Sequence, residues 1–385
     1  MNLHWTAKFA FAMLALMPVF SLAQDSVPVA HHVSGKVPVQ GSTRELAAER
    51  PVLPPAPAPP LGIPAAHNWQ LQATIPDAVI HDISFASSSI GFAAAEGGQV
   101  WKTTNGGASW TEVLNLNYPY YFYGISALTT NDVVVSGFYD TSTVVGLIRW
   151  SSDGGQTWTS DIDLPSASWL QRVRFPNSND GLILDLIGGS SGNTAQYTTD
   201  GGANGTDWTT VVDNPGGNWF GLEFSLLPNL HARASGINFC ASPNGGAKWN
   251  CGPSVDSVFD GPVFFLNDTY GWVGGGEISP NVEGWAHMTT NGGKTWSGRT
   301  LDGPWPIREI LFLTPKSGWA AGGNVYSGVG GIYFSGNGGT TWSVDVTTNA
   351  EMDACDKQSL NPGFQIWCAG YDSSFNGVIY TLQIK

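Results

Sequence analysis

One eight-residue phrase, repeated six times in step, constrains this chain more than any other feature. It reads Thr103-Thr104-Asn105-Gly106-Gly107-Ala108-Ser109-Trp110 in its first copy. It returns at Ser151–Trp158, Ser242–Trp249, Thr289–Trp296 and Ser335–Trp342, and with a longer insert at Thr198–Trp208. The Trp-to-Trp steps are 48, 50, 41, 47 and 46 residues. A period in the forties is the length of a four-stranded propeller blade. The phrase itself is hairpin chemistry. Asn/Asp-Gly supplies the positive φ that a tight turn needs, and the Asn, Asp, Ser and Thr side chains bond the turn's own backbone. The Trp is expected to open the next strand and pack between blades. The turns are read as structure at every blade rather than as a site.

Each repeat parses alike. In the first, Ile80–Ala86 is the innermost strand, Gly91–Ala95 the second and Val100–Thr104 the third, and Trp110 begins the outermost. Glycines in second strands such as Gly271–Gly276 and Gly318–Gly323 allow close approach near a crowded axis. After Trp342 only three further strands fit, near Met352–Leu360, Phe364–Gly370 and Gly377–Ile384. At the other end Asn68–Gln72 precedes the first inner strand, where an outermost strand belongs, and Trp69 stands in for a seventh Trp. The expected fold is all-β: a seven-bladed β-propeller of four-stranded blades over residues 67–385, with an N-terminal strand completing the C-terminal blade. Such closure removes the open sheet edge.

Composition agrees with short buried strands and tight turns. Of 385 residues only 12% are charged, while 49 are Gly and 17 are Trp. The formal net charge is −14. That field repels phosphate backbones and anionic membranes, so nucleic acid is not an expected partner, and neutral or cationic ligands stay open. Lys8 followed by the apolar run Phe9–Phe20 reads as a signal peptide over residues 1–23, with cleavage after Ala23. No later apolar run has the length of a membrane span. Residues 24–66 read as a disordered linker, extended and Pro-rich at Pro51–Pro64. A secreted or periplasmic monomer is therefore expected. Four cysteines suit that compartment, with Cys240–Cys251 and Cys355–Cys368 the expected local disulfides out of three possible connectivities. Asn204 and Asn267 sit in glycosylation sequons.

The six phrases resemble the Asp-box (BNR) repeat, Ser/Thr-x-Asp-x-Gly-x-Thr-Trp, over the whole region from residue 67. Asn replaces Asp in four copies, at Asn105, Asn244, Asn291 and Asn337. The pairing of Gly271-Trp272-Val273-Gly274-Gly275-Gly276 with Thr289–Trp296 is similar to the photosystem II assembly-factor-like propellers. That resemblance implies a protein-binding propeller rather than an enzyme. The photosynthetic members carry an Arg-rich patch, which this acidic chain lacks. More distantly, the repeat is similar to that of sialidases and xyloglucan-active glycosidases, but the Phe-Arg-Ile-Pro element of sialidases is absent and only one propeller is encoded.

Propellers bind ligands over the mouth where the inner strands begin. Aligning the inner strands places His81, Tyr123, Gln171, Phe220, Asp260, Arg308 and Asp353 in one ring. Asp82, Arg172 and Glu309 follow, and Tyr121, Trp169, Trp219, Phe259 and Trp305 lie just upstream. Of these, His81, Tyr123, Trp169, Gln171, Arg172, Trp219, Trp305 and Arg308 are candidates for ligand binding. Flat rings with carboxylates and guanidinium groups suit a protein or a glycan. Glycoside cleavage would need two carboxyls, and Asp82, Asp260, Glu309 and Asp353 are the candidates. No nucleophile elbow, phosphate loop or metal motif occurs, so no metal and no cofactor is expected. The leading expectation is an exported binding propeller; a glycoside hydrolase or lyase is the alternative.

Overall fold

The computed structural model describes residues 67–164, 169–185, 194–212, 223–236, 238–256, 260–277, 283–324 and 328–385. The leader and linker expected within residues 1–66 lie outside them. The described residues form seven four-stranded antiparallel sheets, with no α-helix among them. Blade 1 runs outward through Ile80–Phe85, Gly91–Ala95, Gln99–Thr103 and Thr111–Asn115. The inner strands of blades 2 to 6 are Tyr120–Ala127, Leu170–Arg174, Glu223–Leu226, Asp260–Phe265 and Ile307–Phe312. Blade 7 takes Ala350–Ser359, Phe364–Asp372 and Gly377–Ile384 from the C-terminus and Gln70–Ile75 from the N-terminus. The ring closes as expected, in antiparallel register from Gln70↔Thr381 to Ile75↔Gly377.

The repeated turns are built by their side chains. Thr103 Oγ1 accepts the Gly107 N–H at 2.9 Å, and Asn105 Oδ1 accepts the Ser109 N–H at 2.9 Å. Asp153 Oδ1 accepts the Thr157 N–H at the same 2.9 Å. Asn and Asp are interchangeable here because the hydroxyl four residues on adapts: Ser109 accepts from the Asn105 amide at 2.9 Å, whereas Thr157 donates to Asp153 at 2.6 Å. Gly106 and Gly107 sit at φ 71° and 95°, a region closed to side chains with a Cβ except at a cost.

Two details differ from the sequence reading. Trp110 does not open the outer strand, which begins at Thr111. Its indole N–H instead bonds the Gly107 carbonyl at 3.0 Å, so Trp110 belongs to the turn. Nor is this Trp the wedge between blades. It meets Phe85 of its own blade edge-on at 6.0 Å. The wedge is Trp367 of blade 7, which stacks on Phe85 at 3.6 Å and donates to the Gly106 carbonyl at 2.8 Å. The same arrangement joins blades 5 and 6. Trp272 stacks on Phe312 at 3.5 Å, bonds the Gly338 carbonyl at 2.8 Å, and Trp342 meets Phe312 edge-on at 5.8 Å. Trp150 bonds the Gly202 carbonyl between blades 2 and 3. At these three blade junctions the repeated turn caps its own hairpin and also offers a carbonyl to an indole of the neighbouring blade.

The seam beside the N-terminal strand is held by one carboxylate. Asp345 of blade 6 accepts N–H groups from His67 at 2.8 Å, Trp69 at 2.8 Å and Trp319 at 3.0 Å. Burial alone would raise its pKa, but these donors outweigh it and hold the carboxyl below the usual carboxylate range. Both expected disulfides are present. Cys240–Cys251 ties the third strand of blade 4 to a two-residue outer strand, and Cys355–Cys368 joins the inner and second strands of blade 7.

Candidate functional site

A β-bulge lies at or just after the ring position in six inner strands, and the ring position of the seventh, Phe220, lies outside the described residues. The register shifts fall between Ile80 and Asp82, Phe122 and Gly124, Leu170 and Val173, Asp260 and Val263, Ile307 and Glu309, and Met352 and Ala354. His81, Tyr123, Gln171, Arg172, Arg308 and Asp353 therefore occupy bulges. A bulge inserts a residue without a partner and re-aims its side chain. Glycine in the second strand makes room for it. A Cβ on Gly137, Gly322 or Gly370 would lie 1.9 Å from a carbonyl oxygen of the adjoining inner strand.

The bulges bring three blades together around His81. Its Nδ1 meets Asp353 Oδ2 at 3.1 Å and its Nε2 meets Glu96 Oε1 at 3.3 Å. Its ring stacks on Tyr123 at 4.2 Å and meets Tyr371 edge-on at 5.8 Å. Burial disfavours the imidazolium, but the bonds and charges of Asp353 and Glu96 more than reverse this and raise its pKa to about 9. Burial, with the nearby carboxylates adding to it, also lifts the Tyr123 and Tyr371 phenols well above their ordinary value. On the other side of Asp353, Arg308 Nε donates to Glu351 at 2.7 Å. The side chains of His81, Asp353 and Glu96 keep 10%, 15% and 16% of their surface, so the cluster reaches solvent at the mouth.

The pKa of His81 sets a pH dependence. A histidine raised from 6.5 to about 9 stabilises the fold fully below the lower value, and that stability is lost as pH rises through the higher one. The span corresponds to roughly 3 kcal/mol. The His81 imidazole is expected to titrate near pH 9 in an NMR pH series, and stability is expected to fall between pH 7 and 9.5. A His81 midpoint near 6.5 would show that the two carboxylates do not hold the proton.

Beneath this ring the charges are consumed by the fold. Asp82 is fully buried. It accepts the N–H groups of Ile83 and Ile125, each at 2.9 Å, and a two-bond clasp from Arg174 at 2.7 and 3.0 Å. Arg172, from blade 3, crosses the axis to Glu309 of blade 6 and the Asp353 carbonyl of blade 7. Asp82 and Glu309 are thus tied into cross-blade bonds. Indeed all six arginines of residues 67–385 face carboxylates. The remaining pairs are Arg149–Asp161, Arg233–Asp268, Arg299–Asp256 and Arg308–Glu351.

Of the aromatic candidates, Tyr123 and Trp169 belong to a file of stacked rings. Tyr123 stacks on Phe138 at 5.7 Å, and Phe138 on Trp169 at 5.7 Å. Trp305 is not brought to the collar; it is buried with Ile307 and Tyr333 in the core of blade 6. Gln171 takes part through its backbone carbonyl, which accepts the Ser136 hydroxyl at 2.6 Å. Trp219, Phe220 and Phe259 lie outside the described residues. For Asp260 only the backbone pairing with Gly275 is described. Sequence reasoning missed Glu96, Tyr371 and Glu351. Glu96 and Tyr371 follow or end second strands, so aligning those strands as the inner ones were aligned would have found them.

The arrangement is a mixed-charge mouth walled by rings. Among the described residues no group of three or more His, Cys, Asp or Glu is placed to hold a metal ion. The architecture is similar to that of several solved β-propellers. A solved structure of YCF48 bound to D1 peptide superposes with a TM-score of 0.59 at 19% identity, covering 82% of this chain and 97% of that one. YCF48 from Cyanidioschyzon merolae gives 0.58 at 19% identity over 83% and 98%. The WD40 propeller domain of Doa1 gives 0.57 at 10% identity over 82% and 97%. At these identities the likeness is one of fold. No protein-family model matches the chain, and no curated protein matches it in sequence.

Proposed function

We propose that this chain is an exported, non-catalytic propeller that binds a segment of another protein over the mouth around His81. The observation that carries the reading is the state of three of the four candidate acids at the mouth. Asp82 is clasped by Arg174, Glu309 meets Arg172, and Asp353 meets His81. Glycoside cleavage needs one carboxyl free to donate a proton and a second facing the bond. Carboxylates already committed to cations suit recognition better. The rings argue the same way, since Tyr123, Phe138 and Trp169 stack on each other and cover faces that a sugar would use. YCF48, a propeller of the same fold, has been solved with a peptide bound. Export is supported by the Phe9–Phe20 run before Ala23 and by the two disulfides.

The test sets the full chain against a peptide array and, in parallel, a panel of polysaccharides. Saturable peptide binding, weakened about tenfold by Asp353→Asn, is the expected result. Polysaccharide turnover abolished by Glu309→Gln would replace this reading with the glycosidase.

A further inference from the structure

The upper seam between blades 1 and 2 carries a surface of one character. Tyr120 and Tyr139 are cross-strand partners in blade 2, with ring centroids 5.6 Å apart. Tyr120 donates its hydroxyl to Asp161 at 3.0 Å. Asp163 pairs with Leu147 on the same face, and Asp140 closes the second strand through a bond to the Pro119 carbonyl. Tyr118, 48% exposed, stands edge-on to Tyr121 at 5.2 Å. The surface is continuous with the mouth, because Tyr121 pairs in a β-bridge with Glu96, the carboxylate beside His81.

Its charge is uncompensated. Among the described residues Arg149 is the cation there, held by Asp161 at 2.6 Å, while Asp140 and Asp163 add negative charge. Burial and Asp161 together raise the Tyr120 phenol, and burial with Asp163 and Asp161 raises that of Tyr139, the direction expected in a negative local field. With every arginine of the domain already facing a carboxylate and a chain charge of −14, an anionic partner would find no unpaired guanidinium. Tyrosine faces and carboxylates together suit the opposite charge. Cations bind over aromatic rings, and the apolar stems of Lys and Arg cover them.

We infer that this seam docks a basic peptide segment, with its cationic heads at Asp140 and Asp163 and their stems over Tyr118, Tyr120 and Tyr139. The inference rests on the protein-ligand reading above and specifies the chemistry of that ligand. The probes are dye-labelled Arg-Gly-Ser, Gln-Gly-Ser and Glu-Gly-Ser repeat peptides, titrated by fluorescence anisotropy with the full chain at low and moderate salt. The Arg peptide is expected to bind about tenfold tighter than the Gln peptide, with affinity falling as salt rises. Tyr118→Ala and Asp163→Asn are each expected to weaken it about threefold or more. Asp180→Asn, which removes the same charge at the opposite end of blade 3, is expected to leave it unchanged. Preference for the Gln or Glu peptide overturns the basic partner while leaving the peptide reading intact. Equal loss with Asp163→Asn and Asp180→Asn, and none with Tyr118→Ala, overturns the seam in favour of a diffuse field. Absence of binding to all three overturns the inference, and a blank peptide array beside it would take the protein-ligand reading with it.

Discussion

Asp82→Ala is expected to lower the unfolding free energy by about 3–5 kcal/mol, the cost of breaking a buried ion pair from one side. The substitution removes the acceptor of two backbone N–H groups and of both Arg174 bonds. It also strips the carboxylate that lies 3.9 Å from Arg172 Nε, leaving a guanidinium only 8% exposed with less compensation. Three blades lose a shared tie at once, since Asp82, Ile125 and Arg174 belong to blades 1, 2 and 3. Urea unfolding followed by tryptophan fluorescence reads the loss as a lower midpoint at unchanged slope. Asp82→Asn keeps an acceptor and the shape, so it should cost less. A change under about 1 kcal/mol for the Ala variant would sink the idea that this carboxylate clasps the axis.

Trp367→Ala is expected to cost about 3–5 kcal/mol as well, by a different mechanism. Trp367 is fully buried, stacks on Phe85 and supplies the N–H bonded to the Gly106 carbonyl. Its loss leaves a cavity between the last blade and the first. Trp367→Phe restores most of the volume and the stacking but not the bond, so it should recover well over half the loss. If Phe recovers nothing, the hydrogen bond rather than packing dominates that seam. The same urea midpoints decide it.

The fold was legible because turn chemistry is local. Six copies of one phrase fix six hairpins, and the phase of those hairpins leaves only one place for Trp69 and the strand after it. The Trp between blades was harder to see. Trp110 ends the repeated phrase and Trp367 lies in a second strand outside it, and only the register of neighbouring sheets decides which indole faces its own turn and which the next blade's. The site was half legible. Aligning inner strands found His81, Tyr123, Arg308 and Asp353 because all four fall at the same bulge. Their partners were hidden, since Glu96 follows the second strand of the same blade and Tyr371 ends the second strand of blade 7, outside the inner strands that were aligned. That Asp82, Glu309 and Arg172 are bound to one another's blades depends on distances across the axis, which no local pattern encodes.

The closing strand also decides how this ring responds to force. Gln70–Ile75 and Gly377–Ile384 lie side by side and antiparallel, so a pull applied at Gln70 and at Ile384 acts on the same edge of blade 7. Under such a load the paired residues are not sheared together. They separate in succession, beginning at Gln70↔Thr381, like a zip opened from its free end. The strand would peel first and expose the Asp345 seam, while the disulfide between Cys355 and Cys368 keeps the inner and second strands of blade 7 joined. Tension along the chain would open the circle at its latch and leave the opposite blades, with the mouth they wall, until last.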